Sequence, residues 1–237
     1  THFLQNQLTI SVNNLPIVPS GRLARVNIEN KFCGYCTAKG RLLASFWISR
    51  LDVNEYHLLL SSDVADLFIK KLSMYILRSE VKIAKNEGLM LVGSYFSYEN
   101  PINQHHESYS YELPTVTYDS QTIHREVLVY KDVLEPPYST LDNSEWNWLE
   151  ILSGYPRISI ATTEQFVPQM INLESLFAID FKKGCYPGQE TVAKINNLGT
   201  PPRKMVLLHL DGLNVDLPKT GDKVFDGEKE VGFIGTV

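Results

Sequence analysis

Cys185 follows two lysines and a glycine in the run Lys182-Lys183-Gly184-Cys185-Tyr186-Pro187-Gly188-Gln189-Glu190. Ammonium groups beside a thiol favour the thiolate, because opposite charge stabilises the ionised form. Pro187 holds Tyr186 extended, and a helix is expected to begin just after it. The thiol then sits near a helix N-terminus, whose unpaired N–H groups and dipole favour anions. Gly184 and Gly188 permit close approach of the backbone or a positive φ. Together these residue types describe a ligand-approach loop with one accessible thiol. They also suit a buried cysteine at the end of a strand, since free cysteine is among the most buried residue types.

Cys33-Gly34-Tyr35-Cys36 has the spacing of a dithiol pair. A redox pair wants a helix starting at its first cysteine. Here the motif runs into Lys39-Gly40-Arg41 and a strand, so two small residues on a strand near a ligand opening is the competing reading. Two cysteines alone do not close a four-ligand zinc site, and no metal site is expected. His105-His106-Glu107 has the residue types of a metal site but lies in a polar stretch with no second ligand pair, which reads as a solvated loop. Asp180 and Glu174 are candidate general bases without a partner carboxylate at helical spacing. No Gly-x-Ser-x-Gly and no phosphate-binding loop pattern occurs, which removes support for hydrolase and nucleotide-hydrolysing classes.

The 237 residues, 43% of them apolar and 21% charged, suit one large or two smaller globular domains. The net charge of -5 and the lack of a dense basic run disfavour strong, direct nucleic-acid binding. No stretch approaches the ~20 apolar residues that span a bilayer. The opening Thr1-His2-Phe3-Leu4 lacks the basic and apolar regions of a signal peptide. Three cysteines in a chain of this length fit a reducing compartment, so a soluble cytoplasmic protein is expected. The last residues read like the middle of a strand, so both ends are expected to extend further.

A short helix is expected near residues 3–8. Strands are expected over 41–51, with mixed burial, and over 55–61. A helix follows, capped by Asp63 and ending near Arg78, with Val64, Phe68, Leu72, Tyr75 and Ile76 on its apolar face. Val81 and Ile83 alternate with polar neighbours, which predicts a hairpin across 86–88 into an apolar run ending at Phe96. Residues 97–110 read as a loop. Strands are expected over 111–118 and 122–130, then a break at Pro136-Pro137. Asp142 would cap a helix to Leu152, with Glu145 completing the capping box. A further helix is expected over 188–197 with Gly199 past its end, a linker at Pro201-Pro202, a strand over 203–210, and a hairpin across Asp226-Gly227. Short strands joined by hairpins argue for an α+β fold with mainly antiparallel sheets. The expected division is a core over residues 1–198, in one or two subdomains, and a partial β-barrel domain over 199–237.

Lys183-Gly184-Cys185-Tyr186-x-Gly188-Gln189-Glu190 resembles the signature of the YgfZ-type folate-binding proteins, relatives of the glycine-cleavage aminomethyltransferase. Phe3-Leu4-Gln5-Asn6-Gln7-Leu8-Thr9, Lys39-Gly40-Arg41-Leu42-Leu43-Ala44 and Pro168-Gln169-Met170-Ile171-Asn172-Leu173 resemble three further blocks of that family. The blocks keep the family's order over residues 3 to 194. The chain departs from the pattern at Asn6, expected as Gly, at Ile10-Ser11, expected as Asn-Asp, and at Lys194, expected as Arg.

The resemblance implies an aminomethyltransferase-like α+β core around a central opening for tetrahydrofolate, followed by a C-terminal β-barrel. It implies an accessory role for iron–sulfur proteins or their assembly machinery and, through them, in tRNA modification. Cys185 is the implied functional cysteine. A folate needs an apolar slot for its pterin and cations for its glutamate tail. Lys183, Gly184, Tyr186, Gly188, Gln189, Glu190 and Arg41 are the candidate folate-binding residues. Phe181 is another lining candidate, although its alternation with Ile179 also suits a core position. Two alternatives stay open: a folate-dependent one-carbon (aminomethyl) transferase, for which Asp52 is the one early candidate acid, and a thiol-redox or cluster-carrying protein using Cys185 with Cys33 and Cys36.

Overall fold

A computed structural model describes residues 1–18, 27–97, 109–131, 143–210 and 217–237. The break expected at Pro136-Pro137, the cap expected at Asp142 and the His105-His106-Glu107 stretch lie outside the described residues. Three antiparallel strands, β2 (Lys31–Cys36), β3 (Leu42–Arg50) and β4 (Tyr56–Leu60), make the first sheet. The second has the order β1-β6-β7-β5 and comprises β1 (Asn27–Ile28), β5 (Leu89–Phe96), β6 (Tyr109–Tyr118) and β7 (Gln121–Lys131); only β1 runs parallel to its neighbour. The β6–β7 turn places Asp119 and Ser120 at φ of 46° and 64°, a twist that matches the flanking strands. The α+β class with antiparallel sheets is thus as the sequence indicated.

β3 is buried along nearly its whole length; the expected mixed burial does not hold. Each face meets a core, which is why its residues run apolar without strict alternation. Leu43, Phe46 and Ile48 pack with Val64, Phe68 and Leu72 of α2 (Ser62–Ser73) and with Leu8, Ile10 and Val12 of the opening segment that follows α1 (His2–Gln5). Phe32, Cys36 and Leu42 face the other way, onto Ile158, Phe166, Ile171 and Leu173 and onto Val192 of α4 (Gln189–Leu198). The 3-10 turn Pro168–Ile171 closes this second core.

Several expectations need correction. Ser61, not Asp63, precedes the first turn of α2, and the Asp63 carboxylate accepts the Ile160 N–H at 2.9 Å. α2 stops at Ser73, and Leu77, four residues on, turns the chain with φ of 46°. Val81 and Ile83 form no strand; they pack on the first core, and β5 pairs with β7 instead. The Glu145 carboxylate, in the first turn of α3 (Asn143–Leu152), accepts the Tyr95 hydroxyl; the capping box expected of it rests on Asp142, outside the described residues. Residues 203–210 are not a strand: Met205 is held at one point, its N–H on Met170 O at 2.7 Å and its carbonyl on Asn172 Nδ2 at 3.1 Å, with no neighbouring ladder. Among the described residues after 202 there is the β8 (Lys223–Asp226) and β9 (Lys229–Phe233) hairpin and no closed barrel. It docks on the second core through Phe233, stacked on Phe166 at 4.8 Å. Among the described residues no helix is long and apolar enough to cross a membrane.

Candidate functional site

The cysteine loop is fixed by its glycines and its lysine. Gly188 precedes α4 with φ of 79°, and a Cβ there would lie 2.4 Å from Thr37 O and 2.5 Å from Gly40 N. Gly40 has φ of 74°, and its Cβ would lie 2.8 Å from Thr191 Cβ. The turn between β2 and β3 and the start of α4 therefore meet glycine to glycine, a contact any side chain would open. Lys183 reaches in the opposite direction. Its ammonium donates to Gln5 O, Leu8 O and Ile10 O, the last at 3.0 Å, and lies 5.3 Å from the ring centre of buried Tyr186. Burial pulls Lys183 down to about 8, against Cys33 and Asp180, which pull it up; it is an ammonium at pH 7. Burial also pushes the Tyr186 phenol up.

The other residues of this loop are more open. Cys185 is exposed, so the accessible-thiol reading holds over the buried one. Gly184 is exposed with open space beside it. Gln189 is half-buried and Glu190 exposed in the first turn of α4. Exposed Arg41 donates from Nη1 to Gln165 O at 2.6 Å. Phe181 is 37% exposed and lies outside the core. The Asp180 carboxylate accepts the Lys182 N–H at 2.9 Å. Asp52 accepts the Val53 N–H in an exposed turn.

Cys33 and Cys36 are both buried, but in different cores: Cys33 packs with the α2 side of the sheet and Cys36 with the α4 side. Burial pushes the Cys33 thiol well up and the Cys36 thiol up to about 12. Among the described residues no three Cys, His, Asp or Glu side chains gather as a metal site would require. The three thiols thus do not converge.

A cleft of about 950 Å³ lies elsewhere, between the two sheets and α3. One wall is aromatic: Trp47 and Tyr155 lie 4.8 Å apart at 36°, with Phe32 within 5.0 Å and 5.2 Å of them. Ser45 Oγ positions that wall by donating to Pro156 O at 2.7 Å and accepting Ile158 N–H at 2.9 Å. Trp146 forms the facing side. It lies on Gly93 of β5, where an added Cβ would come within 2.7 Å of the indole. Its charged groups are Glu145, Glu150, Arg125 and Arg157: Arg157 Nη1 pairs with Glu150 Oε2 at 3.1 Å, and buried Arg125 donates from Nε and Nη2 to Pro114 O and sits 5.8 Å from the Trp146 ring. Burial lowers Arg125 while nearby Glu150 raises it. An aromatic slot with two carboxylates and two guanidinium groups can take a flat heteroaromatic ligand by stacking and by hydrogen bonds to its edge.

The structure brings Lys183, Tyr186, Gly188 and Arg41 to the region around the β2–β3 turn and the opening segment, and none of the sequence candidates lines the cleft. Sequence reasoning missed Trp47, Tyr155, Arg157, Glu150 and Arg125. They come from β3, β7, α3 and the segment after α3, and only tertiary packing unites them.

Together these features define an α+β protein with an aromatic-walled cleft between two sheets and a separate, exposed cysteine loop. No family profile matches the chain. It is similar to the tRNA-modifying protein YgfZ of Buchnera aphidicola from Schizaphis graminum, 31% identical over 96% of this chain and 72% of the relative. It is also similar to the proteins of that name from Blochmanniella pennsylvanica, 27% identical over 93% of this chain and 70% of the relative, and from Pectobacterium atrosepticum, 29% identical over 93% and 67%. The chain belongs to the YgfZ family.

Proposed function

We propose that this protein binds tetrahydrofolate in the cleft between its sheets, on an aminomethyltransferase-like core. In this reading it serves in the cytoplasm as an accessory factor for iron–sulfur proteins, including some that modify tRNA. The tRNA-modifying name of the relatives supports the role. The observation that carries the ligand is the aromatic wall of the cleft.

Trp47, Tyr155 and Trp146 would stack on the pterin and exclude water from it. The Glu150 carboxylate, held by Arg157 at 3.1 Å, is suited to accept from the amino-pyrimidine N–H edge. The bound group would supply a reduced pterin and its one-carbon-accepting nitrogens. Cys185 lies outside this cleft, on a face open to a protein partner.

Anaerobic calorimetry with tetrahydrofolate tests the reading. Saturable binding in the low micromolar range is expected, weakened about tenfold or more in Arg157→Ala, which releases Glu150 from the partner that holds it. A folded wild-type protein that shows no heat up to several hundred micromolar ligand would sink it.

A further inference from the structure

The turn after α2 presents apolar side chains to solvent on a backbone that resists it. Leu77 is 88% exposed and has φ of 46°. The left-handed region is costly for a residue with a Cβ and is normally left to Gly or Asn. Ile76 before it and Val81 after it are packed on the first core, and Ser79 N–H closes the turn on Ile76 O at 2.7 Å. The anchors therefore fix the turn, and Leu77 contributes nothing to them. An exposed, strained leucine where glycine would sit at ease is a sign of use. Met74, 67% exposed, and Tyr75, 43% exposed, flank it.

The same turn is basic in an acidic protein. Residues 70–85 hold five Lys or Arg and one acid, Glu80, whereas the whole chain carries -5. Lys85 pairs with Asp66 at 2.8 Å. Lys70 and Lys71 also suit the negative end of α2. Arg78 and Lys82 lie beyond the helix, exposed, where that explanation does not reach.

We propose that this turn docks an acidic amphipathic segment of another protein. Its apolar side chains would cover Leu77, Met74 and Tyr75, and its carboxylates would meet Arg78, Lys82, Lys70 and Lys71. The chemistry favours a protein over a polynucleotide: two of the three exposed anchors are aliphatic and offer a base no stacking surface, whereas an apolar centre with a charged rim is the anatomy of protein interfaces.

The test uses fluorescence anisotropy with a labelled synthetic helical peptide carrying Leu on one face and Glu on the other. A scrambled peptide of equal composition, unmodified tRNA and vesicles containing anionic lipid are run in parallel. The helical peptide is expected to bind more tightly than the scrambled one and to weaken with added salt. Leu77→Gly should weaken binding about fivefold or more while its melting temperature stays equal or rises, because glycine relieves the turn. Equal binding of both peptides, unchanged binding by Leu77→Gly, or a fall in its melting temperature would overturn the proposal. So would Leu77-dependent binding of tRNA or vesicles without the peptide.

Discussion

Lys183 donates all of its ammonium protons to carbonyls of the opening segment, at Gln5, Leu8 and Ile10. It thereby ties the cysteine loop to the start of the chain. Lys183→Met keeps the stem but strands those carbonyls, so urea unfolding should show a loss of about 2–4 kcal/mol, the scale of buried acceptors left without partners. Gly188→Ala faces both the positive φ and the Thr37 carbonyl, and about 2 kcal/mol or more of destabilisation is expected. Gly184→Ala meets open space and should unfold within about 0.5 kcal/mol of wild type. The terminating role of Gly199, φ 86°, was legible, because helix ends recruit glycine by a local rule. The partners of Lys183 were not, since they lie more than 170 positions away.

α3 reaches the cleft with the Trp146 indole on Gly93 of β5, supported by the Tyr95 hydroxyl on Glu145, and with Glu150, which pairs with Arg157. Gly93→Ala should push the indole off the strand, and a change in tryptophan fluorescence and near-ultraviolet circular dichroism would register it. Phe68 of α2, packed edge-on against Tyr35 and Phe46, should cost about 3–5 kcal/mol on truncation to Ala. Elements governed by local pattern were readable: Val64, Phe68 and Leu72 on the apolar face of α2 (though not Tyr75, which lies past the helix and exposed), the span of α4 and the hairpin at Asp226-Gly227. Where the pattern was right and the partner missing, expectation failed. Val81 and Ile83 alternate as a strand would, yet find the core in place of a ladder, and residues 203–210 have no strand beside them among the described residues. The C-x-x-C spacing gave way to strand geometry, with one cysteine in each core.

At the scale of the whole molecule the two sheets also meet at His57 of β4. Its Nδ1 lies 2.6 Å from Tyr111 Oη and 3.3 Å from Tyr109 Oη of β6, and its Nε2 lies 3.6 Å from Glu55. Burial lowers the His57 pKa below 6.5, although Glu55 opposes this. The unfolded chain therefore binds a proton more readily than the folded one. The stability held by neutral His57 is fully present above about pH 6.5 and is lost as the pH falls toward the lower folded value. Thermal melts from pH 8 to 5 should show that decline, and His57→Gln should flatten it. The cleft between the same sheets was illegible in the sequence, because β3, β7, α3 and the segment after α3 each contribute isolated residues with no shared spacing.

The proposed tetrahydrofolate site is the cleft, and the cysteine loop is its rival. Tetrahydrofolate affinity measured for Trp47→Ala and Gly184→Ala beside the wild type separates them most directly. The account predicts about tenfold or greater weakening in Trp47→Ala, from the loss of a stacking surface, and affinity within about twofold of wild type in Gly184→Ala. Loss in Gly184→Ala with Trp47→Ala unchanged would contradict it and put the ligand at Cys185.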